Sequence, residues 1–214
     1  MGNTVLVTGA ARRIGAAIAR RLHAAGWQVA IHCQYSTQEA DALCAELLAR
    51  RSGSAAVFAA DLRDETACEA LLARVAAHYG PVQALVNNAS SYFATAIGGI
   101  AAADIDELVA TNLKAPLLLT QAAHAAGALQ AVVNLLDSHT RYQPRAGFSA
   151  YTAAKDGLWA LTETLAVELA PTVRVNGVAL GHIAAEVGAP PSVSEQIDLA
   201  DKAAQLPRVP LARS

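Results

Sequence analysis

The chain has 214 residues, of which 54% are hydrophobic and 16% charged, with 16 basic and 18 acidic side chains. This length allows one domain or at most two, and the composition excludes a disordered or fibrous chain and favours a protein with a buried sheet. The net charge of -2 argues against a nucleic-acid-binding protein.

Short β-rich runs alternate along the chain with longer Ala/Leu-rich stretches of helical period, which predicts βαβ units around a parallel sheet. We predict six strands, at Thr4–Val7, Val29–His32, Ala55–Ala60, Ala84–Val86, Ala131–Leu136 and Val173–Val178. We predict five helices between them, at Ile14–Ala25, Ser36–Arg51, Glu65–Tyr79, Ile105–Ala126 and Tyr151–Leu169. Ser36 and Glu39 have capping-box spacing, and Pro116 predicts a kink in the fourth helix.

The chain as a whole, residues 1–214, is expected to form a single α/β domain. Its last part, residues 181–214, loses clear periodicity and gathers Gly, Pro and small residues, as is typical of a mobile substrate loop. No apolar stretch reaches the roughly 18 residues that span a bilayer, and no signal-peptide pattern is present. We therefore expect a cytoplasmic protein that does not bind membranes.

The cysteines and histidines show no metal-binding pattern. Cys33, Cys44 and Cys68 are odd in number and lack CxxC spacing, so we expect reduced thiols. The histidines in the later part of the chain have no ligand spacing either. The sequence therefore predicts no metal site.

The first strand runs into the turn Thr8–Gly15, where a strand, small residues and a helix follow in the order that a dinucleotide site requires. Amides at the start of that helix can bind a pyrophosphate. Arg12 and Arg13 oppose the helix dipole by about 0.3–1 kcal/mol each, and a bound anion would reverse this penalty. The alternative is an ordinary βα turn with a solvated charge pair.

The end of the second strand bears on the choice of cofactor. The segment His32–Ser36 holds no carboxylate for an adenosine ribose, and Glu39 is the first acid after it. This favours NADP over NAD. Ser36 could instead serve only as a helix cap, although a capped helix start still offers amides to a 2′-phosphate.

Tyr151 and Lys155 are four residues apart, which places phenol and ammonium on one helix face. A nearby ammonium lowers the pKa of a phenol and makes it a usable proton donor. The alternative is a tyrosine at the edge of the core beside a lysine that reaches solvent.

The glycine turn, Asn87-Asn88-Ala89 and the Tyr151–Lys155 pair occur in the order of the short-chain dehydrogenase/reductase family, which the chain resembles over nearly its whole length. The resemblance implies an α/β fold with a single Rossmann-type doubly wound parallel sheet flanked by helices, with the family's last helix and strand absent from this chain.

Details are most similar to the pteridine reductases, a branch that includes dihydromonapterin- and dihydrofolate-reducing members. Arg13 stands where that branch replaces a glycine, and Asn88–Tyr92 resembles its Asn-Ala-Ser-Ser-aromatic run. Asp137, three residues after Asn134, stands where most family members have a catalytic serine and pteridine reductases have aspartate. Ser138 is the rival position, and Asp137 could also be only a turn cap.

The resemblance implies roles for individual residues. Catalysis falls to Asp137, Tyr151, Lys155 and Asn112, the last of which supports the lysine through water. Cofactor binding falls to Gly9, Arg13, Ile14, Gly15, His32, Ser36, Asp61, Leu62, Asn88, Ala89, Ser90, Tyr151, Lys155 and Gly181. Substrate binding falls to Arg13, Ser90, Tyr92, Asp137 and Tyr151, with a planar pterin stacked between Tyr92 and the nicotinamide.

The expected activity is NADPH-dependent hydride transfer to a C=N bond of a pterin or dihydrofolate, with the proton supplied through Tyr151 and Asp137. One alternative is reduction of a ketone, aldehyde or sugar with Ser138 and Tyr151, and another is a non-catalytic NADP-binding sensor. The expected partners are a small-molecule substrate and, provided the C-terminus is intact, three further copies in a homotetramer.

Overall fold

A parallel six-stranded sheet forms the centre of the computed structural model, which describes residues 2–181. The strand order is β3-β2-β1-β4-β5-β6. The strands are β1 (Thr4–Val7), β2 (Gln28–Cys33), β3 (Ala55–Ala59), β4 (Ala84–Asn87), β5 (Ala131–Asp137) and β6 (Arg174–Leu180). The order reverses between β1 and β4, so the predicted Rossmann-type doubly wound fold is confirmed.

Helices connect successive strands throughout residues 2–181. They are α1 (Arg13–Ala24), α2 (Thr37–Arg50), α3 (Glu65–Tyr79), α4 (Ala102–Val109), a π-helical turn (Ala110–Lys114), α5 (Ala115–Ala125), α6 (Ser138–Tyr142) and α7 (Ser149–Glu168). None of these described helices is long and apolar enough to cross a membrane. The predicted substrate-loop region lies outside the described residues, apart from Gly181.

Alternate residues of the strands enter hydrophobic cores on opposite faces of the sheet, as the two-residue period of a strand requires. In β1, Leu6 packs in the core that contains Leu119 of α5 and Leu165 of α7. Its neighbours Val5 and Val7 pack in the other core, with residues of α1 and α2. Both faces are covered, and the carboxyl ends of the strands meet at one edge of the sheet.

The predicted capping box at the start of α2 is wrong. Ser36 is the residue before the helix, but its side chain makes no capping hydrogen bond. Its backbone has φ −82° and ψ 53°, outside the extended region that a capping side chain needs. Glu39 lies beside Arg12 instead, with 3.4 Å between Nη1 and Oε1.

The predicted single helix at Ile105–Ala126 is divided in the structure. The irregularity is the π-helical turn, which ends just before Pro116, a residue in the first turn of α5. A proline ring in an α-helix clashes with the carbonyl four residues earlier, and the wider π turn relieves this clash. The turn contains Asn112, which is fully buried.

Candidate active site

In the turn after β1, two backbone segments lie so close together that only glycine fits between them. Gly9 has φ +60°, and a Cβ on Gly15 would lie 2.3 Å from the Gly9 carbonyl oxygen. Arg13 has φ 52°, the left-handed region that glycine favours. Such strain in a non-glycine residue is typical of functional turns.

The loop after β4 holds this turn in place. The hydroxyl of Thr8 accepts hydrogen bonds from the amides of Asn88 (2.9 Å) and Ala89 (3.0 Å). The side-chain amide of Asn88 donates to the carbonyls of Thr8 and Gly9 at 2.8 and 3.0 Å. Asn88 and Ala89 therefore position the glycine turn.

His32 of β2 supports the same turn through a hydrogen bond to Gly9. Its Nδ1 accepts from the Gly9 amide at 3.1 Å, so its Nε2 carries the hydrogen and donates to the Ala60 carbonyl at 3.1 Å. Burial lowers the pKa of His32 to about 4, so the ring is neutral. Because both ring nitrogens hold backbone groups, His32 serves the predicted cofactor site through Gly9 rather than by contact.

The ends of β2 and β3 bring together a cluster that the sequence only partly indicates. Arg63 donates to the Asp61 carboxylate, with 2.6 Å between Nη2 and Oδ2, and to the Tyr35 hydroxyl at 2.9 Å. The side-chain hydrogen bond from Arg63 holds the pKa of Asp61 below its usual value. The Leu62 side chain packs in the hydrophobic core, so only its backbone is left to face a ligand.

The helix after this cluster, α3, begins next to Asp64, which follows Asp61 by three residues. Asp64 caps α3, because its side chain accepts from the amides of Thr66 and Ala67. The Asp61 carboxylate accepts hydrogen bonds from the Arg63 guanidinium instead.

Asp137 and Tyr151 meet at the carboxyl end of β5. The Tyr151 hydroxyl donates to Asp137 Oδ2 at 2.9 Å, while Asp137 Oδ1 accepts from the His139 amide at 2.8 Å and so caps α6. The two alternatives for Asp137, a turn cap and a partner of Tyr151, are both realised. Each carboxylate oxygen has its own donor.

Burial is the main cause that raises the pKa of Tyr151, and the Asp137 charge raises it further. The sequence leaves the net direction open between Lys155 and Asp137, and in the structure the direction is upward, because burial and the contacting carboxylate both favour the protonated phenol. Tyr151 therefore carries its proton at neutral pH, which suits a proton donor.

Lys155 is buried between α7 and β5. Its Nζ donates to the Leu135 carbonyl at 3.0 Å. Burial lowers the pKa of Lys155 to about 8, against an opposing contribution from Asp137.

Asn112 holds the loop that follows β4. Its side-chain nitrogen donates to the Ser91 carbonyl at 2.9 Å, and its oxygen accepts from the Ser90 hydroxyl at 2.6 Å. The Ser90 side chain also lies close to the Tyr151 hydroxyl. The π-helical turn thus places this amide against Ser90 and Ser91. Support of Lys155 by Asn112 through water stays a prediction.

Tyr92 lies beside Tyr151, with ring centroids 4.8 Å apart and an interplanar angle of 89°. Its ring also stacks on Phe148, with centroids 4.9 Å apart and an angle of 20°. Phe148 thus covers one face of the Tyr92 ring, the ring that is predicted to stack on a planar pterin. Arg145 donates to the Tyr92 hydroxyl and lies 5.3 Å from the Phe148 ring centroid.

Ser138, the rival of Asp137, faces β6. Its hydroxyl donates to the Leu180 carbonyl at 2.9 Å, next to Gly181. The structure thus brings together Asp137, Tyr151, Lys155, Ser90 and Tyr92, whereas Asp61 and Ser36 lie with the β2 and β3 ends. No group of three or more His, Cys, Asp or Glu among residues 2–181 could hold a metal ion.

Sequence reasoning missed Phe148, Arg145 and Arg63. Phe148 stands three residues before Tyr151, one turn away on a helix, and this spacing could have indicated it. Arg63 follows Asp61 by two residues, but its approach to Tyr35 depends on the pairing of β2 with β3.

Comparison with known proteins identifies a family and several relatives of this chain. Residues 3–195 match the family model for short chain dehydrogenase. Pteridine reductase 1 of Leishmania tarentolae is 36% identical over 217 residues, covering 82% of this chain and 75% of that protein. A 3-oxoacyl-(acyl-carrier-protein) reductase FabG of Staphylococcus aureus is 30% identical, covering 100% of this chain and 85% of that protein. The uncharacterized oxidoreductase YgfF of Escherichia coli is 32% identical over 86% of this chain and 77% of that protein.

Proposed function

The chain belongs to the short-chain dehydrogenase family, and we propose that it is an NADPH-dependent reductase acting on a C=N bond of a pterin or dihydrofolate. The hydrogen bond between Tyr151 and Asp137 carries this proposal. Reduction of a ring C=N bond requires a proton on the nitrogen, and a phenol recharged through a carboxylate can supply it. The 36% identity to a pteridine reductase supports the same substrate class.

The residues present fit a dinucleotide. Because Gly15 has no Cβ, α1 can approach the glycine turn closely. The Arg12 side chain makes no capping hydrogen bond to that helix. The first-turn amides at Arg13, Ile14 and Gly15 therefore suit the pyrophosphate, aided by Gly9. Asp61, Leu62 and the Asn88–Ser90 loop would border the rest of the cofactor.

The NADP preference rests on the end of β2. Between Cys33 and Thr37 there is no carboxylate, while Arg63 brings a guanidinium to the Tyr35 hydroxyl. An arginine near this position suits a ribose 2′-phosphate, with Ser36 at the start of α2.

The bound nicotinamide would supply the hydride. Tyr151 then gives its hydroxyl proton to the substrate nitrogen, and Asp137 orients the phenol. Lys155 would hold the nicotinamide ribose, and Gly181 would border the nicotinamide. Tyr92 offers an aromatic surface to the planar substrate, and Arg13 and Ser90 offer it hydrogen bonds.

A carbonyl substrate is the second candidate, because the chain is also 30% identical to a 3-oxoacyl reductase over its whole length. Ser138 and Tyr151 would then polarise the carbonyl. The bond from the Ser138 hydroxyl to the Leu180 carbonyl places that hydroxyl on β6 and favours Asp137 as the partner of Tyr151.

Asp137→Ala and Ser138→Ala separate the two candidates. With 7,8-dihydrobiopterin as substrate, we expect Asp137→Ala to lower the initial rate of NADPH oxidation at least about tenfold, because the proton path is lost, and Ser138→Ala to change it little. The reverse result would favour a carbonyl substrate. Tight NADPH binding without turnover of pterins or carbonyls would instead indicate a sensor.

The low pKa of Lys155 predicts a pH dependence. The ammonium is charged below about pH 8 and neutral above it, so kcat/KM for NADPH is expected to fall as pH rises through 8. The pKa of Tyr151 is raised above its ordinary value of 10, so the phenol does not titrate in this range. Initial rates between pH 6 and 10 measure the profile, and a flat profile would contradict the role of Lys155.

The single-domain organisation of residues 1–214, the cytoplasmic location and the homotetramer stay predictions. The first two follow from the sequence and the homotetramer from the family resemblance, and none of them from the described residues.

A further inference from the structure

A chain of hydrogen bonds links the buried phenol of Tyr151 to the protein surface. Tyr151 is 6% exposed, and its hydroxyl donates to Asp137 Oδ2 at 2.9 Å. The other carboxylate oxygen, Oδ1, lies 3.2 Å from Nδ1 of His139. Along this series of hydrogen bonds the exposed fraction of the side chain rises to 23% at Asp137 and 44% at His139.

The two bonds that join His139 to Asp137 make the contact well defined. The backbone amide of His139 donates to the same Oδ1 at 2.8 Å, which fixes the start of α6 against the carboxylate. The imidazole is therefore held where its Nδ1 can exchange a hydrogen with Oδ1. An imidazole is the side chain that gains and loses a proton most readily near neutral pH.

Repeated turnover creates a need for such a group. Each reduction removes the hydroxyl proton of Tyr151, and the phenolate left beside Asp137 is strongly basic, because two like charges lie 2.9 Å apart. The buried phenol has little contact with solvent, so its replacement proton must pass through neighbouring groups.

We propose that His139 recharges the Asp137–Tyr151 pair with protons from solvent, a positioning and relay role that rests on the proposed function. The Nδ1–H bond of the imidazolium breaks as an Oδ1–H bond forms on Asp137. A half-turn of the carboxyl group about its soft terminal torsion presents this proton to the phenolate, and the O–H bond of Tyr151 re-forms. The neutral imidazole then takes a proton from water, which restores the starting state.

Other polar side chains of α6 are directed elsewhere. Ser138 donates to the Leu180 carbonyl, and Thr140 donates to Asp156 of α7 at 2.7 Å. Arg141 lies 3.7 Å from Glu163. The charged and titratable groups around α6 in the described part of the chain include Asp137 of β5, Arg141 and Tyr142 of α6 itself, and Asp156 of α7.

The test compares His139→Asn with His139→Ala. Asparagine keeps an N–H donor near the position of Nδ1 but cannot release its proton, whereas alanine removes both donor and proton. Rapid-mixing measurements of NADPH oxidation give the first turnover, and steady-state rates give the later ones. His124→Asn is the matched control, since His124 is an exposed histidine on α5.

We expect His139→Asn to complete the first turnover at the wild-type rate, because Tyr151 still carries its own proton, and then to slow at least about tenfold. Added imidazole should restore the steady-state rate of His139→Ala. His124→Asn should match the wild type in both phases.

A steady-state rate for His139→Asn within twofold of wild type between pH 6 and 9 would overturn the proposal and leave His139 as a support of Asp137. Equal slowing of the first and later turnovers would do the same. Failure of the proposed function appears separately, as wild-type protein that does not reduce pterin. The variants are then compared on a 3-oxoacyl substrate, and wild-type protein inactive on both would overturn both proposals.

Discussion

Tyr151→Phe is expected to lower kcat by a factor of about 10²–10⁴, the usual contribution of a positioned general acid. Phenylalanine keeps the ring that packs at 4.8 Å from Tyr92 and removes only the hydroxyl that donates to Asp137. Asp137 keeps its bonds from His139, so the fold is retained. NADPH affinity should change little, because the glycine turn and Lys155 stay in place to bind the cofactor.

Steady-state kinetics with 7,8-dihydrobiopterin and titration of NADPH binding measure the two effects. Tyr142→Phe is the control, since Tyr142 is 71% exposed on α6 and contacts Trp159. Tyr142→Phe should behave as the wild type. If Tyr151→Phe kept more than a tenth of the wild-type kcat, Tyr151 would not be the proton donor.

Gly15→Ala is expected to disrupt cofactor binding more than any other single methyl group added to the glycine turn. The new Cβ would lie 2.3 Å from the Gly9 carbonyl oxygen, 2.7 Å from the side-chain nitrogen Nδ2 of Asn88 and 2.8 Å from the Ala10 Cα. Two of these atoms belong to the backbone, so the turn must move. Overpacking of this kind costs about 1–3 kcal/mol of stability.

The displaced amides would no longer converge on a pyrophosphate, so the Kd for NADPH should rise at least about tenfold, or about 1.4 kcal/mol. Calorimetric titration measures the Kd, and thermal unfolding with and without NADPH measures the stabilisation by ligand. Gly99→Ala is the control, because a Cβ there meets only the Ala96 carbonyl oxygen, at 3.9 Å. Equal NADPH affinities for the two variants would contradict a cofactor role for the turn.

Strong local patterns predicted most of the fold. β1 and α3 have the predicted bounds, and the other strands differ from prediction by two residues or fewer at each end. Short β-branched runs and long Ala/Leu-rich stretches differ in period, and this difference is visible without tertiary contacts. Pro116 indicated an irregularity in the fourth helix. Its π-helical form and the missing capping bond of Ser36 were not predicted, because the crowding around Pro116 and the backbone dihedral angles decide them.

The sequence predicted most residues of the candidate site and only part of the contacts between them. Asp137, Tyr151, Ser90 and Tyr92 were all expected, and the structure places them together. The stacking of Phe148 on Tyr92 and the approach of Arg63 to Tyr35 join residues 56 and 28 positions apart in the chain. A one-dimensional pattern carries no information about such pairs.

The sequence by itself determined the doubly wound α/β fold, the family and the residues available for chemistry, since these follow from periodicity and from motifs within short segments. Only the tertiary structure decided how those residues act on one another. The pKa of Tyr151 is raised by burial and by the Asp137 carboxylate at 2.9 Å. Desolvation and charge act through distance in space, and the folded chain alone sets those distances.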